Sequence, residues 1–252
     1  MDKKKNGLLL CILLMTAFCL PTSGQKIIKM DPDLKGNSSA MEAKRKAITT
    51  FPKYQFGPYA VVSAKAGWTM TKGSSKSLFI IEDTNLESKT KSSFVLVGNG
   101  KDTVKVNSVN KVLTSETSVG HYTATNQINS TFIADILVTA DSSEWQLKLF
   151  TEMGEQVGGS FNVDGVLTNG ETNIQIRSVK EWETGKSDLF KLILGYELVL
   201  DNQSVAAVQA PQMTTKRFVY IRESLDDKLK LVLATASALL MVRSDMMAAD
   251  IH

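Results

Sequence analysis

Two hydrophobic patterns divide this chain. Through most of its length apolar and polar positions alternate with a period of two, and near its end the alternation stops. Period two marks half-buried strands. In residues 145–151, Trp145, Leu147 and Leu149 share one face while Gln146 and Lys148 take the other. In residues 216–222, Arg217, Val219 and Ile221 oppose Phe218, Tyr220 and Arg222. The pattern predicts about twelve short strands, at residues 59–64, 67–71, 77–82, 93–97, 102–106, 121–125, 131–138, 145–151, 159–163, 165–168, 172–179, 190–200, 204–209 and 216–222, with 190–200 one bent strand or two. Gly98-Asn99-Gly100 and Asn169-Gly170 are tight-turn signals between them. A parallel sheet needs crossover helices, and no long helical pattern lies between these runs, so the sheet is expected to be antiparallel.

The last apolar stretch is different in kind. Between Leu231 and Val242 the only polar side chains are Thr235 and Ser237. Ser224 followed by Asp227 predicts an acidic capping box, with Asp226 and Asp227 in the first turn and Arg243 in the last, as the helix dipole favours. A helix apolar all round belongs inside something. A bilayer crossing needs roughly twenty apolar residues, and the run from Leu229 to Val242 is shorter, is interrupted by Lys230 and has no aromatic belt. A helix buried in the protein is therefore expected over residues 225–243, ahead of a surface-membrane or crossing helix.

Half-buried antiparallel strands and one wholly apolar helix fit together in one arrangement. A closed barrel around the helix covers both and leaves no sheet edge. The expected fold is mainly β, a closed antiparallel barrel of about twelve strands around a buried C-terminal helix. A lipocalin-like barrel, or a β-sandwich with a packed C-terminal helix, is the alternative. Residues 199–208, 218–222 and the helix from Leu225 to Val242 resemble the tubby-like superfamily of tubby C-terminal domains, phospholipid scramblases and LURP-one-related proteins. The resemblance spans roughly Phe56 to Arg243 and implies a twelve-stranded barrel threaded by its last helix. It implies no single activity. Tubby domains use a basic cluster for phosphoinositides, whereas the lysines and arginines here are scattered.

The front of the chain reads as a targeting signal. Lys3, Lys4 and Lys5 precede an apolar run over residues 8–20, and Pro21-Thr22-Ser23-Gly24 supplies small residues before a cut expected between Gly24 and Gln25. An N-terminal anchor and lipidation at Cys19 are the alternatives. The triple lysine and the Gly-Gln junction resemble those of exported Bacteroidetes-type bacterial proteins. Both cysteines, Cys11 and Cys19, lie in this segment, so the mature chain has no thiol for a disulfide, nucleophile or metal. Residues 25–55 read as a polar lead-in, with a short helix over residues 41–48, and residues 56–252 as a single barrel domain.

Charge and candidate chemistry add little. The formal charge is +3, and the signal accounts for most of it, so no nucleic-acid footprint is present. The two histidines are His121 and the terminal His252, and no Gly-x-Ser-x-Gly elbow or spaced ligand cluster accompanies them. No catalytic residue, metal site or cofactor is assigned. Weak binding candidates are the basic Lys44, Arg45 and Lys46, read first as a solvated face; Asp135, read first as an outward residue; and Trp182, set between Glu181 and Glu183. The expected function is a non-catalytic exported binding or interaction module of the bacterial envelope, periplasmic or extracellular. Its partner is a protein, glycan or lipid surface, and the mature chain has no integral membrane span. A carrier of a small apolar ligand is the alternative, followed by a hydrolase.

Overall fold

The computed structural model describes residues 26–46, 52–78, 81–98, 102–119, 122–153, 161–187, 192–211 and 216–249. The predicted signal with Cys11 and Cys19, the Asn99-Gly100 turn, Ile48 and His121 lie outside these residues. The chain forms α1 (Pro32–Gly36), then twelve strands, then α2 (Asp227–Ala249). The strands are β1 (Met41–Lys46), β2 (Lys53–Phe56), β3 (Tyr59–Leu78), β4 (Ile81–Gly98), β5 (Asp102–Val119), β6 (Tyr122–Val138), β7 (Ser143–Met153), β8 (Phe161–Thr168), β9 (Asn173–Val179), β10 (Gly195–Leu200), β11 (Gln203–Gln209) and β12 (Arg217–Ile221). Each pairs antiparallel with its sequence neighbours, and β1 closes the barrel against β12, with Met41 opposite Val219.

The alternation read from the sequence becomes the inside and outside of this wall. Phe132, Ala134 and Ile136 of β6 and Leu147 and Leu149 of β7 are buried inward, while Phe150 is exposed. Helix α2 occupies the lumen. Residues 231–244 are all buried and pack into one core with inward side chains from β2 through β12. Burying a leucine or valine side chain contributes about 1.5–3 kcal/mol, so this helix is held by its surroundings rather than by an amphipathic stripe. Thr235 and Ser237 return their hydroxyls to the carbonyls of Leu231 and Leu233, at 2.8 and 2.7 Å. A side chain at Gly98 would meet Leu231: a Cβ there would lie 2.7 Å from its Cδ1. Among the described residues no helix is long and apolar enough to cross a membrane.

Five sequence expectations need correction. Residues 41–46 form a strand, not a helix, because pairing of 41–43 with β12 and of 44–46 with β2 overrides good helix-forming residues. The barrel accordingly begins at Met41 rather than Phe56, and the lead-in is part of it. The runs at 59–64 and 67–71 are one strand, β3, and the run at 77–82 straddles the turn between β3 and β4. Gly67, the first residue of the second expected run, lies in a bulge within β3, where a Cβ would stand 2.6 Å from the Lys91 carbonyl oxygen. Finally, Ser224 does not cap α2. Asp226 does, its Oδ1 accepting from the Leu229 amide at 2.9 Å. The helix also runs past Arg243 to Ala249, so Arg243 is not a last-turn cation.

A second, smaller core lies outside the wall. Ile28 and Leu34 from the lead-in pack with Trp182, Leu194, Ala207, Phe218 and Tyr220. This cover buries the outward side chains of β11 and β12, which is why those strands are apolar on both faces. Gln209 ties the cover down: its Oε1 accepts from the Ile28 amide at 3.2 Å, and its Nε2 donates to the Lys26 and Lys216 carbonyls, each at 3.0 Å.

Candidate functional site

Strands β3 to β6 are 20, 18, 18 and 17 residues long, against 4 to 11 for the others. Their excess leaves the barrel as an arm. Its base is oblique: it lies at Lys65 on β3, but β4, β5 and β6 are still buried at Ser92, Asn110 and Ser130, so the arm comprises residues 65–78, 81–91, 111–119 and 122–129. From Lys65 β3 rises thirteen residues to Leu78, about 40 Å at ~3.3 Å per residue. Residues 65–77 are exposed throughout, and no described side chain of residues 81–91 or 111–119 is buried. No second layer covers the arm, so it is a single sheet wet on both faces.

The two faces differ in chemistry. Paired residues share a face, and Phe150, exposed on the barrel's outer wall, identifies the outward row Met70, Lys89, Lys111, Thr131 and Phe150. Outward charges are Lys65, Lys72, Lys76, Lys89, Lys91 and Lys111 against Asp83, Glu87 and Asp135. The inward face carries Glu82 and Glu116 and a set of hydroxyls. Several of these pair across strands: Thr69 with Thr90 at 2.9 Å, Thr71 with Ser88 at 3.1 Å, and Ser118 with Thr123 at 2.9 Å. At the tip Ile81, Val119 and Tyr122 share the outward face, exposed by 45, 44 and 85%. Trp68, in the β3 bulge, is 92% exposed. Between base and tip lies a depression of about 450 Å³ lined by Lys72, Ser74, Asn85, Glu87, Leu113 and Asn129, among others.

Below the arm's inward face sits Arg243, fully buried inside the barrel. Its Nη1 donates to Asn110 Oδ1 at 3.1 Å, and its Nη2 to Ser130 Oγ at 2.5 Å and Thr151 Oγ1 at 2.6 Å. The guanidinium also lies 5.6 Å from the centre of the Phe132 ring. Two residues on, toward the other side of the helix, Asp245 accepts from Arg217 and from the Tyr54 hydroxyl, joining α2 to β12 and β2. These polar contacts fix how far the helix is inserted.

The residues singled out from sequence do not converge. Asp135 is exposed on the outer wall and accepts from Gln146 Nε2 at 2.8 Å. Lys44, Arg45 and Lys46 are exposed on β1, opposite Gln55, Tyr54 and Lys53. Trp182 is 8% exposed and belongs to the outer core, so its ring is not a platform for a sugar. Its neighbours are engaged: Glu181 with Lys29 at 2.8 Å, and Glu183 with Lys35. The Glu181 hydrogen bond raises the Lys29 pKa. At the opposite turn, Asp141 is held down to about 2 by hydrogen bonds from Lys228 and Ser143. Among the described residues no group of three or more His, Cys, Asp or Glu side chains is placed to hold a metal.

The arm was missed in the sequence, although Ser88-Lys89-Thr90-Lys91-Ser92 alternates hydroxyl and lysine strictly. That pattern is period two with no apolar face, the mark of a strand wet on both sides. No protein-family model, no curated protein and no solved structure matches the chain.

Proposed function

We propose that this protein is an exported, non-catalytic binding module of the bacterial envelope, and that its contact surface is the four-stranded arm. One observation carries the reading: a single-layer sheet, about 40 Å long, exposes aromatic and apolar side chains that the fold does not use. Trp68 and Tyr122 are among the most exposed residues described. The helix fills the volume that a carrier's ligand would need, which favours a surface-binding role over an internal carrier. The barrel threaded by its last helix is also the architecture that a tubby-like relationship implies, and we include that relationship in the proposal.

The test removes the arm and keeps the barrel. One variant joins Ala66 to Ser92 and Val112 to Ser130 through Asn-Gly turns, which suit paired strand ends. The shortened protein is expected to keep a cooperative melting transition and to lose retention on isolated envelope preparations. Retention equal to that of the full chain would overturn the assignment of the arm.

A further inference from the structure

We infer that the outward face of the arm binds an acidic polysaccharide, with the depression beside Lys72 as its sugar subsite. The inference rests on the arm being the contact surface. Charge supplies the first argument. Among the described residues six lysines face outward with three carboxylates, one of them Asp135 on the barrel wall below the arm, while the charged groups of the inward face are Glu82 and Glu116. A single layer thus separates a cationic face from an anionic one, and an anionic partner is drawn to the first. Lys72 lines the depression, with Lys76 and Lys89 further along the same face; Lys76 stands opposite Asp83, and Glu87, opposite Lys72, is engaged by Lys111 at 3.2 Å.

The depression supplies the second argument. Asn85 and Asn129 bring amide donors and acceptors, Ser74 and Ser115 hydroxyls, and Leu113 an apolar patch 44% exposed. That inventory matches the hydroxyls and C–H faces of a sugar ring. Lysines beside it supply counter-charges for carboxylate or sulfate groups on the neighbouring rings. Shape supplies the third: an open strip tens of ångströms long suits an extended polymer better than a compact ligand.

An anionic bilayer fits less well. The apolar tip, Ile81 and Val119, stands eight residues from Lys89 and Lys111 along β4 and β5, about 26 Å. The polar zone on each side of a bilayer is only about 5–8 Å deep. A tip inserted in the acyl layer leaves those lysines outside that zone.

The experiment titrates the purified protein at about 0.15 M salt with alginate and heparin, neutral dextran, polyglutamate, and phosphatidylglycerol vesicles. Two exposed-site variants accompany it, Lys72→Glu/Lys76→Glu/Lys89→Glu and Asn85→Ala/Asn129→Ala, each checked by its melting temperature. The expected result is binding to at least one acidic polysaccharide and not to dextran, weakened about tenfold or more by the charge reversal. The asparagine pair is expected to weaken polysaccharide binding severalfold without changing its salt dependence. Equal binding to polyglutamate with no effect of the asparagine pair, a preference for vesicles, or no binding to either polysaccharide overturns the inference. If envelope retention still depends on the arm in those cases, the arm remains the contact surface with another partner. If it does not, both readings fall.

Discussion

Replacing Arg243 by methionine tests how α2 is seated, and its cost can be worked out. Methionine keeps much of the unbranched stem, so the volume lost is small. Asn110, Ser130 and Thr151, which are 5, 8 and 3% exposed, lose the donor at their centre. A hydrogen bond to a charged group contributes about 1.5–3 kcal/mol net, and a buried polar group left without a partner costs about 1–3 kcal/mol. Against this, the guanidinium no longer has to be desolvated, a relief of several kcal/mol. Removing one side of a buried charged cluster is still destabilising by about 3–5 kcal/mol, so the expected loss is about 3–4 kcal/mol. In a urea titration followed by the fluorescence of buried Trp145, a slope of about 2–3 kcal/mol/M places the midpoint about 1–2 M lower. Combining Arg243→Met with Asn110→Leu, Ser130→Ala and Thr151→Val removes the stranded polar groups and should recover most of the loss. A methionine variant within about 0.3 M of the parent midpoint would refute the seating of α2 through Arg243.

Three further outcomes are expected. Leu233→Asp places a carboxylate at a fully buried position and should abolish folding, since the cost of several kcal/mol approaches a total stability of about 5–15 kcal/mol; a soluble mutant with the parent melting temperature would contradict it. Asp226→Ala removes the cap on Leu229 and should cost about 1 kcal/mol by urea titration, whereas Ser224→Ala should cost much less. The Asp141 carboxyl should titrate near 2 by NMR and return toward the ordinary 3.8 in Lys228→Met. Because its folded pKa is depressed, the stabilisation it gives is fully present above about 3.8 and lost as pH falls through about 2.

The barrel was legible because both of its determinants are local. Alternation at residues 131–138 and 145–151 says which side of a strand is dry, and the run from Leu231 to Val242 says that something must surround it. Strand β1 was not legible. Met41 to Lys46 contains good helix formers, and they become extended through pairing with β2 and with β12, some 175 residues away in sequence. The arm was hidden because the runs at 59–64, 67–71 and 77–82 read as separate short strands, whereas Gly67 lies in a bulge of one long strand and Gly73, between two of the runs, packs against Leu86. Arg243 looked like a helix-end charge. Its acceptors come from β5, β6 and β7, lying 133, 113 and 92 residues earlier, and no pattern along the chain announces them. Trp182 failed as a candidate for a similar reason: the lead-in that buries it, through Ile28, is more than 150 residues distant.

The central claim is that the barrel is filled by its own helix, which sends function to the outside. Native-state hydrogen exchange tests it most directly. Amides of residues 231–242 should exchange only through global unfolding, with the same free energy as core amides of β6 and β7 such as Ile136 and Leu147. Exchange of the helix through local opening, while those strand amides stay protected, would place α2 outside the lumen and contradict the account.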